Sequence, residues 1–581
     1  MNDISKNDIT DNINILEDIN KKFKLPIYYL DKYILNKNII NDLELIESKD
    51  DTNKPLYHYY FNIDNSNYFS QTVSKQFSEY YTTNKNYLKE SQKLIENYKP
   101  DSCYISNICK QTSIMNIWNE IKNDNGFIEK YQFIDWAYFK YLNQSEQFLE
   151  IMSVYNLVGP IISVLTPIFI LLIPFLILKI KKTEINFTQY IEVLKQICAN
   201  HAIGKLFTTD YSEINGQQLV YTIISAVFYI FSIYQNILTF IRFHENMKKI
   251  HIYLSQFNEY LSYTCQQIDK YIDFTQDLKT YQPFHDKLVD KRKSLQKFKN
   301  ELITITEYTI QNPTKIMEIG KVMKLFYFIY ENDDFNETIL FSFGFHGYLD
   351  CISGLQENIR QKHINFCTFS QTNNSMTNCY YGVLKDVKHT KNNIDLSNNL
   401  IVTGPNASGK TTILKSTIIN FICNQQSGCG FYETATQKVY NHLHCYLNIP
   451  DTSGRDSLFQ AEARRCKEII DCINEFPNEN HFCIFDELYS GTNPSEAISS
   501  AASFLNYLTK NKNVQFHLTT HFVKLCKKMK SNKRITNYCM ETKNTENNLI
   551  FKYKLKKGIS TIKGGVHVLS NLNYPQEILQ S

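Results

Sequence analysis

The hydrophobic pattern of this chain changes character several times along its length. Residues 1–50 are polar with little periodicity and are expected to fray. From about residue 67 to 156, apolar side chains recur largely at three- and four-residue steps or their multiples: Phe77, Tyr80, Tyr81, Leu88, Leu94 and Tyr98, then Ile114, Ile117, Trp118 and Ile121. That spacing predicts amphipathic helices over 51–156. Phe243 to Leu302 repeats it, with Ile250, Leu254, Phe257, Leu261, Ile268 and Ile272 on one face, predicting a second helical region over 242–334. Pro313 and Gly320 punctuate the end of that region, and the chain then shifts to short mixed segments. Cys379 to Leu384 and Ile394 to Leu396 read as edge strands ahead of a buried strand at Leu400. A domain boundary near 335 is expected, with an α/β domain over 335–581.

Between the two helical regions the periodicity gives way to unbroken apolarity. Leu157 to Leu178 runs without a charge. At about 1.5 Å per residue its ~22 residues cover ~33 Å, enough for a hydrocarbon core of ~30 Å. Pro160, Pro167 and Pro174 break a soluble helix but are tolerated in a membrane, where neighbours re-satisfy the freed carbonyls. Leu219 to Ile241 is also uncharged, and its Tyr, Ser, Thr, Gln and Asn make it the weaker span. A transmembrane hairpin over 157–241 is therefore expected, buried core helices being the alternative. Lys179, Lys181 and Lys182 lie between the runs, whereas Arg242, Lys248 and Lys249 come after the second. The positive-inside rule thus leaves orientation open, and a hairpin entering one face without crossing fits these charges equally.

Composition alters this picture little. Lys and Arg number 62 against 58 Asp and Glu, a formal +4, too small to imply nucleic acid through global charge. Fifteen cysteines without a CxxC pair indicate neither a zinc ribbon nor a disulfide framework, and a reducing compartment fits them. The first 40 residues contain no apolar run of the signal-peptide kind. Asp286 to Lys299 and Lys524 to Arg534 are the local basic clusters. They read as solvated helix faces, with DNA phosphates or anionic lipid as the functional alternatives.

The chemistry concentrates after Leu400. Leu400 to Thr412 matches GxxxxGK[ST] through Gly404, Gly409, Lys410 and Thr411, between an apolar strand and a helix expected to run from Thr411 to about Cys423. A polyphosphate needs backbone N–H groups aimed inward at close range, which Gly404 and Gly409 permit. The loop Gly404, Pro405, Asn406, Ala407, Ser408, Gly409, Lys410, Thr411 and Thr412 is thus the expected ATP cradle. Lys410 sets a charge on the β/γ-phosphates, Thr411 offers a hydroxyl to Mg²⁺, and the helix aims its positive end at the anion. His481 to Glu487 is an apolar strand ending in two carboxylates, Asp486 for Mg²⁺ and Glu487 to polarise the attacking water. Asn493, Pro494 and Glu496 supply an N-cap, N1 and N3 for a helix running to about Leu508. Val514 to Thr520 reads as the next strand, delivering His521 to the γ-phosphate.

These strings carry a resemblance. TGPN before the loop, DELYSGT at the second acidic motif and TTHF at the third are similar to the ATPase domain of the MutS family of DNA mismatch-repair proteins. Ser457 to Glu462 resembles that family's Ser-Thr-Phe-Met-x-Glu signature, and Phe551 to Leu579 resembles its closing strand, Gly-x-Ser turn and Leu-x-x-Pro helix start. Ala407-Ser408 and Tyr489-Ser490 depart from the family pattern without removing a phosphate or metal ligand. No mismatch-recognition domain is visible upstream, since the Phe-x-Glu triplet at Phe77 recurs too often to be informative.

The resemblance implies an α/β P-loop NTPase domain of the ABC/MutS type preceded by an all-α, lever-like region, in which the apolar runs place one or two transmembrane helices. It also implies a Mg²⁺-dependent ATPase acting as a dimer of this chain, or with a related subunit, in which Ser457 reaches the nucleotide of the partner. DNA is an implied partner, and membrane lipid an expected one through 157–178 and 219–241. Because ATP is cytosolic, the ATPase domain is expected to face the cytosol. A half-size ABC-type transporter is the first alternative, weakened by two spans being too few to enclose a pathway. The second is a non-catalytic tether at a membrane, weakened by an intact Glu487.

Overall fold

The computed structural model describes residues 15–50, 53–63, 67–99, 104–123, 126–180, 186–199, 216–303, 305, 318–447, 449, 457–545, 548–562 and 574–575, with backbone alone at 104–112, 167, 218, 544, 545 and 548. The chain divides into two compact units, one of 1–108, 266–292 and 338–581 and the other of 109–265 and 293–337.

The second unit is helical. Its long elements are α1 (Glu146–Ile180), the part of α2 (Gly216–Thr275) up to Cys265, the end of α3 (Gln282–Leu302), and α4 (Ile319–Glu331). Ile114, Trp118 and Ile121 are buried together with Met247, Ile250, Leu254 and Phe257 of α2, as their spacing predicts. Glu120 gathers Lys130 at 3.1 Å with Lys249 and the Tyr253 hydroxyl, tying the helix Tyr104–Asn123 to α2. Gly320 lets α4 approach α1 so closely that a β-carbon there would lie 2.3 Å from the Glu146 carbonyl oxygen.

Beyond this packed zone the apolar runs lose their partners. Ile161, Ile162, Phe169, Val227, Phe228 and Phe231 are exposed. Two helical segments, Glu146–Thr166 and Leu219–Thr275, are long and apolar enough to cross a membrane, and only 22% and 6% of their most apolar windows are buried. A helix not foreseen, Phe187–Cys198, comes after α1 and returns the Tyr190 hydroxyl to the Leu171 carbonyl at 2.8 Å. The connecting Lys181 and Lys182 lie outside the described residues.

The first unit is built on a six-stranded sheet. Its strands are β1 (Asn399–Thr403), β2 (His442–Tyr446), β3 (His481–Asp486), β4 (Val514–Thr520), β5 (Ile535–Thr545) and β6 (Asn548–Lys557), in the order β6-β5-β1-β4-β3-β2. All neighbours are parallel except β6 on β5. Continuous apolar strands such as Phe482-Cys483-Ile484-Phe485 suit a sheet covered on both faces. Helices α5 (Asp333–Arg360), α6 (Lys410–Ser427), α7 (Leu458–Glu475), α8 (Pro494–Lys510) and α9 (Val523–Met529) complete the numbering.

Three expectations are corrected by this architecture. The short strands ahead of the loop do not edge the main sheet. Ser375–Cys379 and Asn392–Asp395 belong to a separate five-stranded sheet, and Gly382–Leu384 is a 3-10 turn. Asn392–Asp395 alternates buried and exposed, the pattern of a sheet with one wet face.

The N-terminal segment is also not frayed where it is described. Ile15, Ile19 and Phe23, four residues apart, are buried, and Phe23 meets the rings of Phe341 at 5.3 Å and Phe284 at 6.1 Å. Gly344 makes room, since a β-carbon there would lie 2.3 Å from that of Phe23. Polar residues between these anchors masked the helical period.

Finally, residues 56–97 pack within the unit that holds the six-stranded sheet instead of in a separate lever-like region. Tyr57 donates to the Gln426 side chain at 2.9 Å and Tyr60 to the Cys429 carbonyl at 2.8 Å, capping the far end of α6. Asn420, Asn424, Gln425 and Gln426 of α6 are consequently buried, with their amides bonded instead of solvated.

Candidate functional site

The site forms where β1, β3 and β4 end and α6 begins. β1 delivers the chain to Gly404, and the loop turns into α6 through Ala407 at φ 59° and Gly409 at φ 93°. The left-handed conformation is strained for Ala407 and free for Gly409. A β-carbon on Gly409 would press Tyr553 at 3.3 Å and Met540 at 3.4 Å, so glycine also admits the β5–β6 hairpin over the loop. A β-carbon on Gly404 would meet the Ser408 hydroxyl at 2.7 Å. That hydroxyl is buried and has no hydrogen-bond partner among the described residues.

Lys410 begins α6 with its ammonium nearly buried. It donates to the Pro405 carbonyl at 3.2 Å, lies 3.2 Å from His521 Nε2, and stands 3.9 Å from Glu487 Oε1. Burial pulls its pKa below the ordinary lysine value, while Glu487 and Asp486 oppose that shift. His521 Nε2 sits 2.6 Å from Glu487 Oε1. The hydrogen bond from His521, more than the Lys410 charge, holds Glu487 below the usual carboxylate range.

Thr411 donates its hydroxyl to Asp486 Oδ2 at 2.8 Å, and Thr519 donates to Asp486 Oδ1. Parallel pairing of β3 with β4 makes this possible, since Asp486 stands opposite Thr519. The backbone of Glu487 is at φ 54° and that of Tyr489 at φ 59°, so strain clusters where the two carboxylates face the loop. Lys410, Thr411, Asp486, Glu487 and His521 are thus brought into one group.

Ser457 stands apart from that group. It caps α7, its hydroxyl accepting from Gln460 N at 3.3 Å and its N–H donating to Gln460 Oε1 at 2.9 Å, and it is exposed. Sequence reasoning did not foresee this capping box. On the same helix Glu462, 2% exposed, accepts from Ser490 N at 3.0 Å, Ser490 Oγ at 2.9 Å and Gly491 N at 3.2 Å. The string containing Glu462 was legible, but its role as clamp of the turn after Glu487 was not.

A cleft of about 510 Å³ opens beside the loop, lined by Asn406, Lys410, Thr411, Glu487, His389 and Tyr553 among others. Tyr380 stacks on His389 with centroids 4.2 Å apart, and the Asn392 side chain donates to the Tyr553 carbonyl at 2.9 Å. Nothing in the sequence singled out His389, and Tyr553 lay inside a matched string with no role assigned.

These features bear on whether ATP·Mg²⁺ fits. The Ser408 hydroxyl lacks a partner, Lys410 is buried beside a carbonyl it can exchange, and Thr411 and Asp486 form a hard oxygen pair suited to Mg²⁺. The residues fit the group.

Fold and site together define a P-loop ATPase-type domain at the C-terminal end of the chain, preceded by a helical region. More narrowly, residues 400–581 match the family model described as MutS domain V, and the chain carries a MutS-type ATPase domain there. The protein from Bacteroides fragilis (strain YCH46) named DNA mismatch repair protein MutS is 29% identical over 203 residues, 33% of this chain and 23% of that one. The protein of the same name from Bacteroides thetaiotaomicron is 28% identical over 187 residues, 31% and 21% of the two chains. That from Clostridium perfringens is 28% identical over 190 residues, 32% and 20%. The chain therefore spans about a fifth of the length of these relatives.

Proposed function

We propose that this chain is a MutS-like ATPase that binds ATP with Mg²⁺, hydrolyses it slowly, dimerises through its ATP sites, and is attached to a membrane by α1 and α2. The observation that carries the reading is the convergence of Thr411 on Asp486, at 2.8 Å, beside the linked Lys410, Glu487 and His521. When bound, ATP·Mg²⁺ supplies an electrophilic γ-phosphoryl group whose charge the metal offsets. Lys410 is the cation placed for the β/γ-oxygens, and Thr411 with Asp486 are the metal-holding oxygens. Glu487 takes the proton of the attacking water, and His521 fixes its carboxylate. The stacked Tyr380–His389 pair and Tyr553 form the apolar wall for the base.

Ser457 is exposed at the positive end of α7, where it can meet a nucleotide held by a second subunit, of this chain or a related one. Nucleotide-dependent closure of two such subunits makes the protein a switch whose signal passes to the helical unit. The exposed apolar faces of α1 and α2 support lipid as the partner of that unit, with the ATPase domain in the cytosol, where ATP is available. DNA as a further partner rests on the likeness to mismatch-repair proteins alone. Of the basic cluster at Lys524 to Arg534, Arg534 is already bonded to the carbonyls of Thr509 and Asn511, whereas Lys524, Lys527 and Lys528 remain exposed.

The test is phosphate release and solution mass for the full chain in detergent, wild type against Glu487→Gln. The wild type should hydrolyse ATP, and Glu487→Gln should lose about 10²–10⁴ of the rate while accumulating as an ATP-bound dimer. A monomeric, nucleotide-free Glu487→Gln protein counts against the mechanism. Wild type that binds ATP without releasing phosphate indicates a tether instead. A gel shift with homoduplex, mismatched and branched DNA across salt concentrations tests the DNA arm separately, and failure there leaves the ATPase reading intact.

A further inference from the structure

At the edge of the main sheet, on the β2 side, three histidines, a cysteine and a carboxylate converge from four segments. His442 and His444 come from β2, His481 from the start of β3, Cys472 from the last turn of α7, and Glu479 from the α7–β3 connection. The ligand atoms of His442, Cys472 and His481 all lie within 4.8 Å of one another. None of these residues takes part in the ATP site, and no short motif announces them. His442 and Cys472 are 30 residues apart, and His444 and His481 are 37.

The distances carry chemistry. Cys472 Sγ lies 3.6 Å from His442 Nδ1. A tetrahedral zinc ion, about 2.3 Å from sulfur and about 2.1 Å from nitrogen, separates two such ligand atoms by ~3.6 Å. The far nitrogens of both rings are already held. His442 Nε2 is 2.7 Å from Glu479 Oε2, and His481 Nε2 is 2.9 Å from the Phe476 carbonyl oxygen. Those contacts place each proton on Nε2 and turn each Nδ1 lone pair toward Cys472 or His444, the orientation that carboxylates and carbonyls impose on zinc-bound histidines.

His444 Nε2 lies 3.2 Å from His481 Nδ1, close to the spacing of two nitrogens on one ion, and is the nearest source of a fourth ligand. The rings stack, with His442 and His481 centroids 4.6 Å apart.

We propose that His442, His481 and Cys472 bind a zinc-class divalent cation, with Glu479 and the Phe476 carbonyl as outer-shell partners and His444 or water in the fourth position. The ion clips the C-terminal end of α7 to the sheet edge. Because α7 also carries Ser457 at its start and Glu462 one turn in, the clip fixes the helix that clamps the turn after Glu487.

The test is metal analysis of the full chain and a Co²⁺ titration after chelation. One Zn²⁺ per chain is expected. Co²⁺ should give a saturable thiolate-to-metal charge-transfer band in the near ultraviolet, which an oxygen-ligated cation at Thr411 and Asp486 cannot produce. Cys472→Ser should abolish that band, and Glu479→Gln should weaken Zn²⁺ binding about 10-fold or more. Circular dichroism establishes that each variant is folded, and any misfolded variant is replaced by His442→Gln, read by the same Zn²⁺ titration. No saturable charge-transfer band in the wild type, or an unchanged band in folded Cys472→Ser, overturns the proposal and reduces the cluster to a packed histidine stack.

Discussion

Two regions of this chain carry runs of large apolar residues and treat them in opposite ways. In β3, Phe482, Ile484 and Phe485 are each 0% exposed, whereas in α1 and α2 Phe169 is 53% and Phe228 68% exposed. Helices and strands close the sheet from both faces, so its apolar area is removed from water by the chain itself. On α1 and α2 the same area is left outward, at about 1.5–3 kcal/mol forgone for each large side chain that stays in water. One region uses hydrophobic residues as core and the other offers them to a different solvent, which the proposed function identifies as lipid.

Breaking the sheet side of the comparison should have the largest effect. Lys410→Ala removes the buried cation of the loop and should weaken nucleotide binding about 100-fold or more, about 3 kcal/mol, by titration calorimetry, while leaving membrane association untouched. The helical side is tested by Ile168→Arg. A guanidinium at the middle of a span costs about 2.5–3.5 kcal/mol, so flotation with vesicles should fall sharply. Tyr507→Arg, at a surface site of α8, should float like wild type. Equal flotation of all three would remove the membrane assignment.

Smaller effects sharpen the account of the site. Glu462→Ala strands two backbone N–H groups and the Ser490 hydroxyl, and should lower stability by about 2–3 kcal/mol, seen as a drop in Tm. The smallest change concerns pH. Glu487 is held below the ordinary glutamate value by His521, so its contribution is present above that value and is lost as pH falls through the depressed one. The acid limb of hydrolysis should therefore lie low in the wild type and move to higher pH in His521→Ala. An unmoved limb would mean that another group sets it.

How far the sequence reveals each region depends on the range of its contacts. Gly404 to Thr411 is contiguous, and β3 and β4 are short buried runs that end on their functional residues, so the group around Lys410 can be assembled from local strings. Glu462 acts 28 residues away on Ser490, and His389 stacks on Tyr380 across a turn, contacts that no periodicity encodes. Phe23 is hidden for a different reason. Polar neighbours dilute its helix, and only the aromatic layer with Phe341 and Phe284 shows why it is buried. The histidine–cysteine group at the sheet edge is the extreme case, drawn from segments that the pairing of β2 with β3 and the packing of α7 bring together.

In the proposed mechanism two subunits share each ATP site, with Lys410 and Glu487 from one and Ser457 from the other. Mixing Lys410→Ala chains with Ser457→Arg chains tests this sharing directly, because a mixed dimer regains one intact site that neither parent can form. Phosphate release that returns on mixing two inactive variants is the predicted result. Mixtures no more active than their separate components, under conditions where mixed dimers are shown to form, would contradict it.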